Sequence, residues 1–190
     1  MKNVILIHGW NTKTEFFDPD KPTASNDHWF PWLTKQLMIK GIKADAPEMP
    51  EYQLSTYESW LKEVERFDIN SDTSLVGHSC GGGFIVRYPS EHDITVDKVI
   101  LIAPWLGIDP GEKFDEKFFD FVIDPNVAKK AKNVTIFVSG DDFDTIHKSV
   151  DKIVNSIDGV KLIKMSGKGH FTRTSLGTEA FPELLEEMLR

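Results

Sequence analysis

With 190 residues, 40% of them hydrophobic and 27% charged, the chain suits one domain with its own core, and no low-complexity or Gly/Ser/Pro-rich stretch marks a linker. A formal charge of -8 argues against a nucleic-acid surface, which needs clustered Lys and Arg, and the single cysteine, Cys80, excludes a disulfide framework or a Cys-rich zinc site. No stretch is apolar enough for a bilayer span and the first apolar run is too short for a signal-peptide core, so a cytoplasmic protein is expected, with no membrane contact, metal or cofactor.

The first apolar run, 4–7, reads as a buried strand and leads into His8-Gly9-Trp10. An amphipathic pattern over 29–39, with Asn26 or Asp27 as cap, predicts a helix before a second strand at 42–46, and 57–67 predicts another helix. A third strand at 74–76 runs into Gly77-His78-Ser79-Cys80-Gly81, followed by a helix over 82–88. The fourth strand, 96–102, leads to Ala103-Pro104-Trp105. The segment 104–125 is longer than a tight connection needs, which suggests a short cap inserted between strands. Phe114, Phe118 and Phe121 there fall at i, i+4 and i+7 and could share one face of a short helix. Packing on the core edge is the plainer role for these rings, and covering a site the bolder one. A fifth strand at 134–138 ends in Ser139-Gly140-Asp141-Asp142, a helix follows over 146–157, a sixth strand at 160–165 leads to Gly167-Lys168-Gly169-His170-Phe171, and a helix over 176–189 closes the chain. Such alternation predicts an α/β fold with a mostly parallel sheet of about six strands and helices on both faces.

In an open parallel sheet reactive groups gather beyond the carboxyl ends of the strands. There the chain places a hydroxyl, several carboxylates and an imidazole. The glycines of the pentapeptide suit a sharp strand-to-helix turn that lifts Ser79 clear of the sheet as a candidate nucleophile. A serine needs an imidazole to take its proton and a carboxylate to hold that imidazole. Of the six histidines, His170 follows the last strand, whereas His28, His92 and His147 fall in polar surface patterns and His8 and His78 suit packing or loop shaping. Asp142 is the chosen acid: Asp141 sits close to the strand end, and Asp144 is placed to cap the next helix. Backbone N–H groups of Cys80 and Trp10, with Asn11 as a substitute for Trp10, are assigned to an oxyanion. Trp10, Trp105, Phe143 and Phe171 could line an apolar pocket, or simply pack.

With these residues assembled, the chain resembles the small single-domain serine hydrolases typified by retinoblastoma-binding protein 9 and its bacterial relatives, within the α/β-hydrolase superfamily. The resemblance rests on Val4-Ile5-Leu6-Ile7-His8-Gly9, the helix at 29–37, Val76-Gly77-His78-Ser79 with Arg87-Tyr88 behind it, the Asp141-Asp142 pair and Gly169-His170-Phe171. The order Ser, Asp, His along the chain is also that of α/β hydrolases. It implies a three-layer α/β-hydrolase fold, a triad of Ser79, Asp142 and His170, and an esterase-like enzyme acting on a small ester through an acyl-serine. Phe143 and Ile146 stand where the family often has proline, which leaves Asp141 and Asp144 open as alternative acids. The L-x-C-x-E motif of the mammalian member is absent, so no retinoblastoma-type partnership carries over. Amide or thioester hydrolysis, lyase or acyl-transfer chemistry, and a non-catalytic binding module on the same fold are the competing readings, and the sequence leaves the oligomeric state unknown.

Overall fold

Six strands form one sheet: β1 (Asn3–Ile7), β2 (Lys43–Asp45), β3 (Thr73–His78), β4 (Val96–Ile102), β5 (Ala131–Ser139) and β6 (Lys161–Met165), ordered β2-β1-β3-β4-β5-β6 with every neighbouring pair parallel. The structure is a computed structural model and describes residues 2–50, 55–107 and 116–190. Each of the six apolar runs is a strand, the third and fifth being longer than their apolar centres suggest. Every residue of β3 and β4 is buried, as expected where helices cover both faces of a parallel sheet.

Register decides what meets at the carboxyl edge. Gly77 in β3 lies opposite Ile7 in β1 and Leu101 in β4, so the loops beginning at His8, Ser79 and Ala103 leave the sheet at one level. From β1 the chain steps outward to β2 and returns to β3 on the other side of β1. That reversal opens the crevice in which parallel sheets usually hold their ligands.

The helices are α1 (Lys13–Phe16), α2 (Phe30–Ile39), α3 (Tyr57–Val64), α4 (Cys80–Glu91), α5 (Asp144–Ser156), α6 (Arg173–Leu176) and α7 (Pro182–Leu189). Neither Asn26 nor Asp27 caps α2; Trp29 holds the cap position without a side-chain bond, and the proline after Phe30 starts the helix instead. The helix expected over 176–189 is split. Gly177 ends α6 in the left-handed region at φ 70°, and Pro182 opens α7. α1 was not anticipated, although Thr12 and Glu15 form a reciprocal capping box visible as T-x-x-E.

In the 104–125 segment, Phe114 lies outside the described residues. Phe118 and Phe119 belong to a 3-10 turn, Glu116–Phe119, and Phe121 follows it, so the expected three-ring helical face does not extend over this part. Phe118 is buried edge-on against Trp60, with ring centroids 5.1 Å apart, and Phe119 packs on Trp105 at 5.3 Å. The Arg87 guanidinium lies 3.6 Å from the Tyr57 ring centroid and donates to the carbonyls of Lys117 and Phe118. These rings therefore extend the core over α3 and α4.

Candidate active site

Ser79 sits between β3 and α4 at φ 54°, ψ -120°, a conformation that costs an L-residue energy and persists only under constraint. The constraint is close packing of backbone. A Cβ at Gly77 would lie 2.5 Å from the Gly81 carbonyl oxygen, and one at Gly81 would overlap the carbonyls of Ile7 and His8. The Ser79 amide donates to the Ile102 carbonyl (2.9 Å), while its own carbonyl accepts from Gly83 (3.1 Å) and Trp105 (3.0 Å). Its peptide is thus tied to β4, to α4 and to the loop after β4.

The structure brings Ser79, Asp142 and His170 together. His170 Nε2 is 2.9 Å from Ser79 Oγ, and Nδ1 is 3.0 and 3.2 Å from the two Asp142 oxygens. With Nδ1–H donated to the carboxylate, Nε2 is left bare to accept the serine proton. The Asp142 side chain has no exposed surface, and its Oδ1 also accepts the Phe143 amide at 2.8 Å. Asp141 and Asp144 go elsewhere. Asp141 turns to the loop after β6, and its carboxyl is held below the usual carboxylate range by the Ser139 hydroxyl first and by loop amides after it. Asp144 is the first residue of α5 and lines the pocket; the cap position is taken by Phe143 without a side-chain bond, so the expected capping role does not appear.

Three further histidines crowd this edge. His78 is buried and donates from Nε2 to the His170 carbonyl at 2.8 Å, and its burial, with His170 beside it, pushes its pKa well below 6.5. His8 Nε2 accepts the Met49 amide at 2.8 Å, and burial lowers its pKa too, against the pull of Glu48. Both therefore shape loops, as anticipated. His28 does not lie on a polar surface. It adopts φ 56°, stands edge-on to His78 with centroids 5.7 Å apart, lines the pocket, and has its pKa lowered chiefly by burial, against the pull of Asp27. Nothing in its local sequence pattern signals that placement.

A pocket of about 590 Å³ opens onto Ser79 and His170. Trp10 and Asn11 come from the loop after β1, Cys80 from the start of α4, Trp105 from the loop after β4, and Phe143 from the entry to α5. Phe143 is 66% exposed, with its ring 5.5 Å from that of His170. Phe171 does not line the pocket. At φ 55° its backbone turns the ring into the core, where it is fully buried and stacked on Phe181 at 5.4 Å. Among the described residues no cluster of His, Cys, Asp and Glu could hold a metal ion, and no helix is long and apolar enough to cross a membrane.

Comparison with known proteins agrees with this geometry. The family model described as Serine hydrolase matches residues 4–189. The hydrolase-named YdeN of Bacillus subtilis strain 168 is 26% identical over 175 residues, covering 90% of this chain and 86% of its own. The crystal structure of the B. subtilis ydeN gene product superposes with a TM-score of 0.83 at 25% identity, covering 100% of this chain and 97% of that one. Est1E from Butyrivibrio proteoclasticus shares the fold at a TM-score of 0.65 and 18% identity, over 99% of this chain and 88% of its own. A parallel six-stranded sheet with a strained serine at its switch point, matched nearly end to end by that family model, makes this chain a member of the serine hydrolase family with an α/β-hydrolase fold.

Proposed function

We propose that the protein is a cytoplasmic carboxylesterase-like enzyme that cleaves small esters through an acyl intermediate on Ser79. The observation that carries this reading is the continuous chain of contacts from Ser79 Oγ through His170 to the buried Asp142 carboxylate. In the first half-reaction His170 Nε2 takes the serine proton as Oγ adds to the ester carbonyl. Charge on the former carbonyl oxygen is met by the backbone N–H of Cys80 and of Trp10, or of Asn11 in its place. His170 returns the proton to the departing alcohol, the C–O bond breaks, and Ser79 is left acylated. A water then gives its proton to His170, adds to the acyl carbon, and releases the acid as Ser79 regains its proton. Asp142 stays ionised and stabilises the imidazolium. Serine, imidazole and water balance the reaction, so no cofactor is required.

The pocket, of a size suited to a small molecule, would seat the substrate between Trp10, Trp105 and Phe143. In this reading the 104–125 segment contributes a wall through Trp105. The test is labelling by a fluorophosphonate probe together with turnover of short p-nitrophenyl esters. The purified protein should do both and Ser79→Ala neither. Labelling that survives Ser79→Ala would overturn the nucleophile assignment, and a folded protein inert to both reagents would point to the binding-module alternative. Product analysis separates hydrolysis from acyl transfer.

A further inference from the structure

Among the described residues β6 is an edge strand with no fully buried residue, paired only with β5, yet the loop after it must hold His170 to within hydrogen-bond reach of Ser79. The three consecutive amides before His170 all donate to side chains at the end of β5 and in the loop after it. Gly167 N–H bonds Asp141 Oδ1 at 2.9 Å, Lys168 N–H bonds Ser139 Oγ at 3.1 Å, and Gly169 N–H bonds Asp141 Oδ2 at 3.3 Å. The buried Ser139 hydroxyl in turn donates to Asp141 Oδ1. The Gly167 and Gly169 amides thus form an anion-binding concavity whose anion is the chain's own Asp141 carboxylate, and the Lys168 amide between them meets the Ser139 hydroxyl. Gly167 and Gly169, at φ 66° and 46°, supply the backbone that aims them.

We propose that Asp141, buttressed by Ser139, is a positioning residue for the reaction: it sets the 167–169 loop so that the His170 ring reaches Asp142 and Ser79 together. The inference rests on the roles proposed above for Ser79 and His170. Asp141 is not a wall of the pocket. Its influence therefore runs through the loop backbone, and the adjacent aspartates divide the task, Asp141 holding the backbone and Asp142 the ring. Removing the charge of Asp141 turns an NH₂ toward one of its donors and loosens the loop. Misplacing a reacting group by about 1 Å costs on the order of 10²-fold in rate.

The test compares wild type, Asp141→Asn, Ser139→Ala, Asp142→Asn and the Asp141→Asn/Asp142→Asn double variant. Readouts are kcat and KM on a p-nitrophenyl ester, the imidazole 15N shifts of His170, and the melting temperature. Asp141→Asn should lower kcat roughly 10- to 100-fold, leave KM nearly unchanged and shift the His170 imidazole signals. Ser139→Ala should do the same more weakly, and in the Asp142→Asn background the Asp141 substitution should add little, because both act through one ring. A folded Asp141→Asn with wild-type kcat and His170 shifts would overturn the proposal, as would effects that simply multiply in the double variant. Should Asp141→Asn not fold, Ser139→Ala decides by the same readouts. Should wild type prove inert to ester and probe, the proposed function fails, while the His170 shifts still support the positioning role if they move and overturn it if they do not.

Discussion

The two halves of the site are held by different physics. On the side of β1, β3 and β4, Ser79 is fixed by backbone against backbone: fully buried strands, glycines whose missing Cβ atoms allow carbonyls to touch, and amide bonds to Ile102, Gly83 and Trp105. On the side of β5 and β6 the sheet thins to a half-exposed edge, and His170 is held by side chains reaching for loop backbone, Asp141 and Ser139 before it and His78 at its own carbonyl. Steric exclusion leaves no alternative geometry on the first side. On the second, where the buried Phe171 ring is the apolar anchor, the geometry also depends on polar partners. Damage to the packing around Ser79 should thus appear first as lost stability, and damage to the polar supports of His170 as lost rate in a protein that still folds.

The largest effect expected on the base side is that of Asp142→Asn, a loss of roughly 10³- to 10⁴-fold in kcat, because the amide stabilises neither the required tautomer nor the imidazolium. Steady-state kinetics on a protein of unchanged melting temperature checks it, and a loss below tenfold would move the acid to another residue. On the nucleophile side Gly81→Ala should destabilise by about 3 kcal/mol or more, since its methyl meets two carbonyls that cannot withdraw. Gly159→Ala, at φ 77° with open space around it, should cost only about 1 kcal/mol of backbone strain. Urea unfolding of the pair measures the contrast, and equal losses would remove the case for steric locking. The smallest effect is on acid stability. His78, His8 and His28 have folded pKa values lowered from 6.5, so below about pH 6.5 the unfolded chain binds more protons than the folded one. The stability due to their neutral forms is complete above that pH and is lost as pH falls toward the folded values. His78→Gln keeps an N–H donor for the His170 carbonyl but cannot titrate, and should flatten the pH dependence of the melting temperature. An unchanged slope would break this reading.

The same contrast explains what the sequence made legible. Parallel strands buried on both faces are near-continuous apolar runs, and the elbow requires glycines at fixed offsets from the serine, so the sheet, Ser79 and the loop carrying His170 could be read in order. Which aspartate would stand beside His170 was also legible, because position after a strand limits reach. The base-side supports were not legible: nothing local marks Asp141 as the partner of amides 26 and 28 residues away, nor His28 as a pocket residue. Phe171 was misassigned for a related reason. A single positive φ reverses the direction of a side chain and leaves little trace in composition. The division of the last helix and the presence of α1 did have local signals, in Gly177, Pro182 and the Thr12–Glu15 box.

One bond joins the pocket wall to the serine peptide. The amide of Trp105, a residue of the pocket wall, donates to the carbonyl of Ser79 itself, which also receives the Gly83 amide inside α4. In the proposed reaction, a substrate that displaced the indole would pull on the peptide unit that carries Ser79 Oγ. Pocket wall and Ser79 peptide thus share one bond, and under the proposed function bulk at Trp105 would be felt in the alignment of Oγ as well as in occupancy.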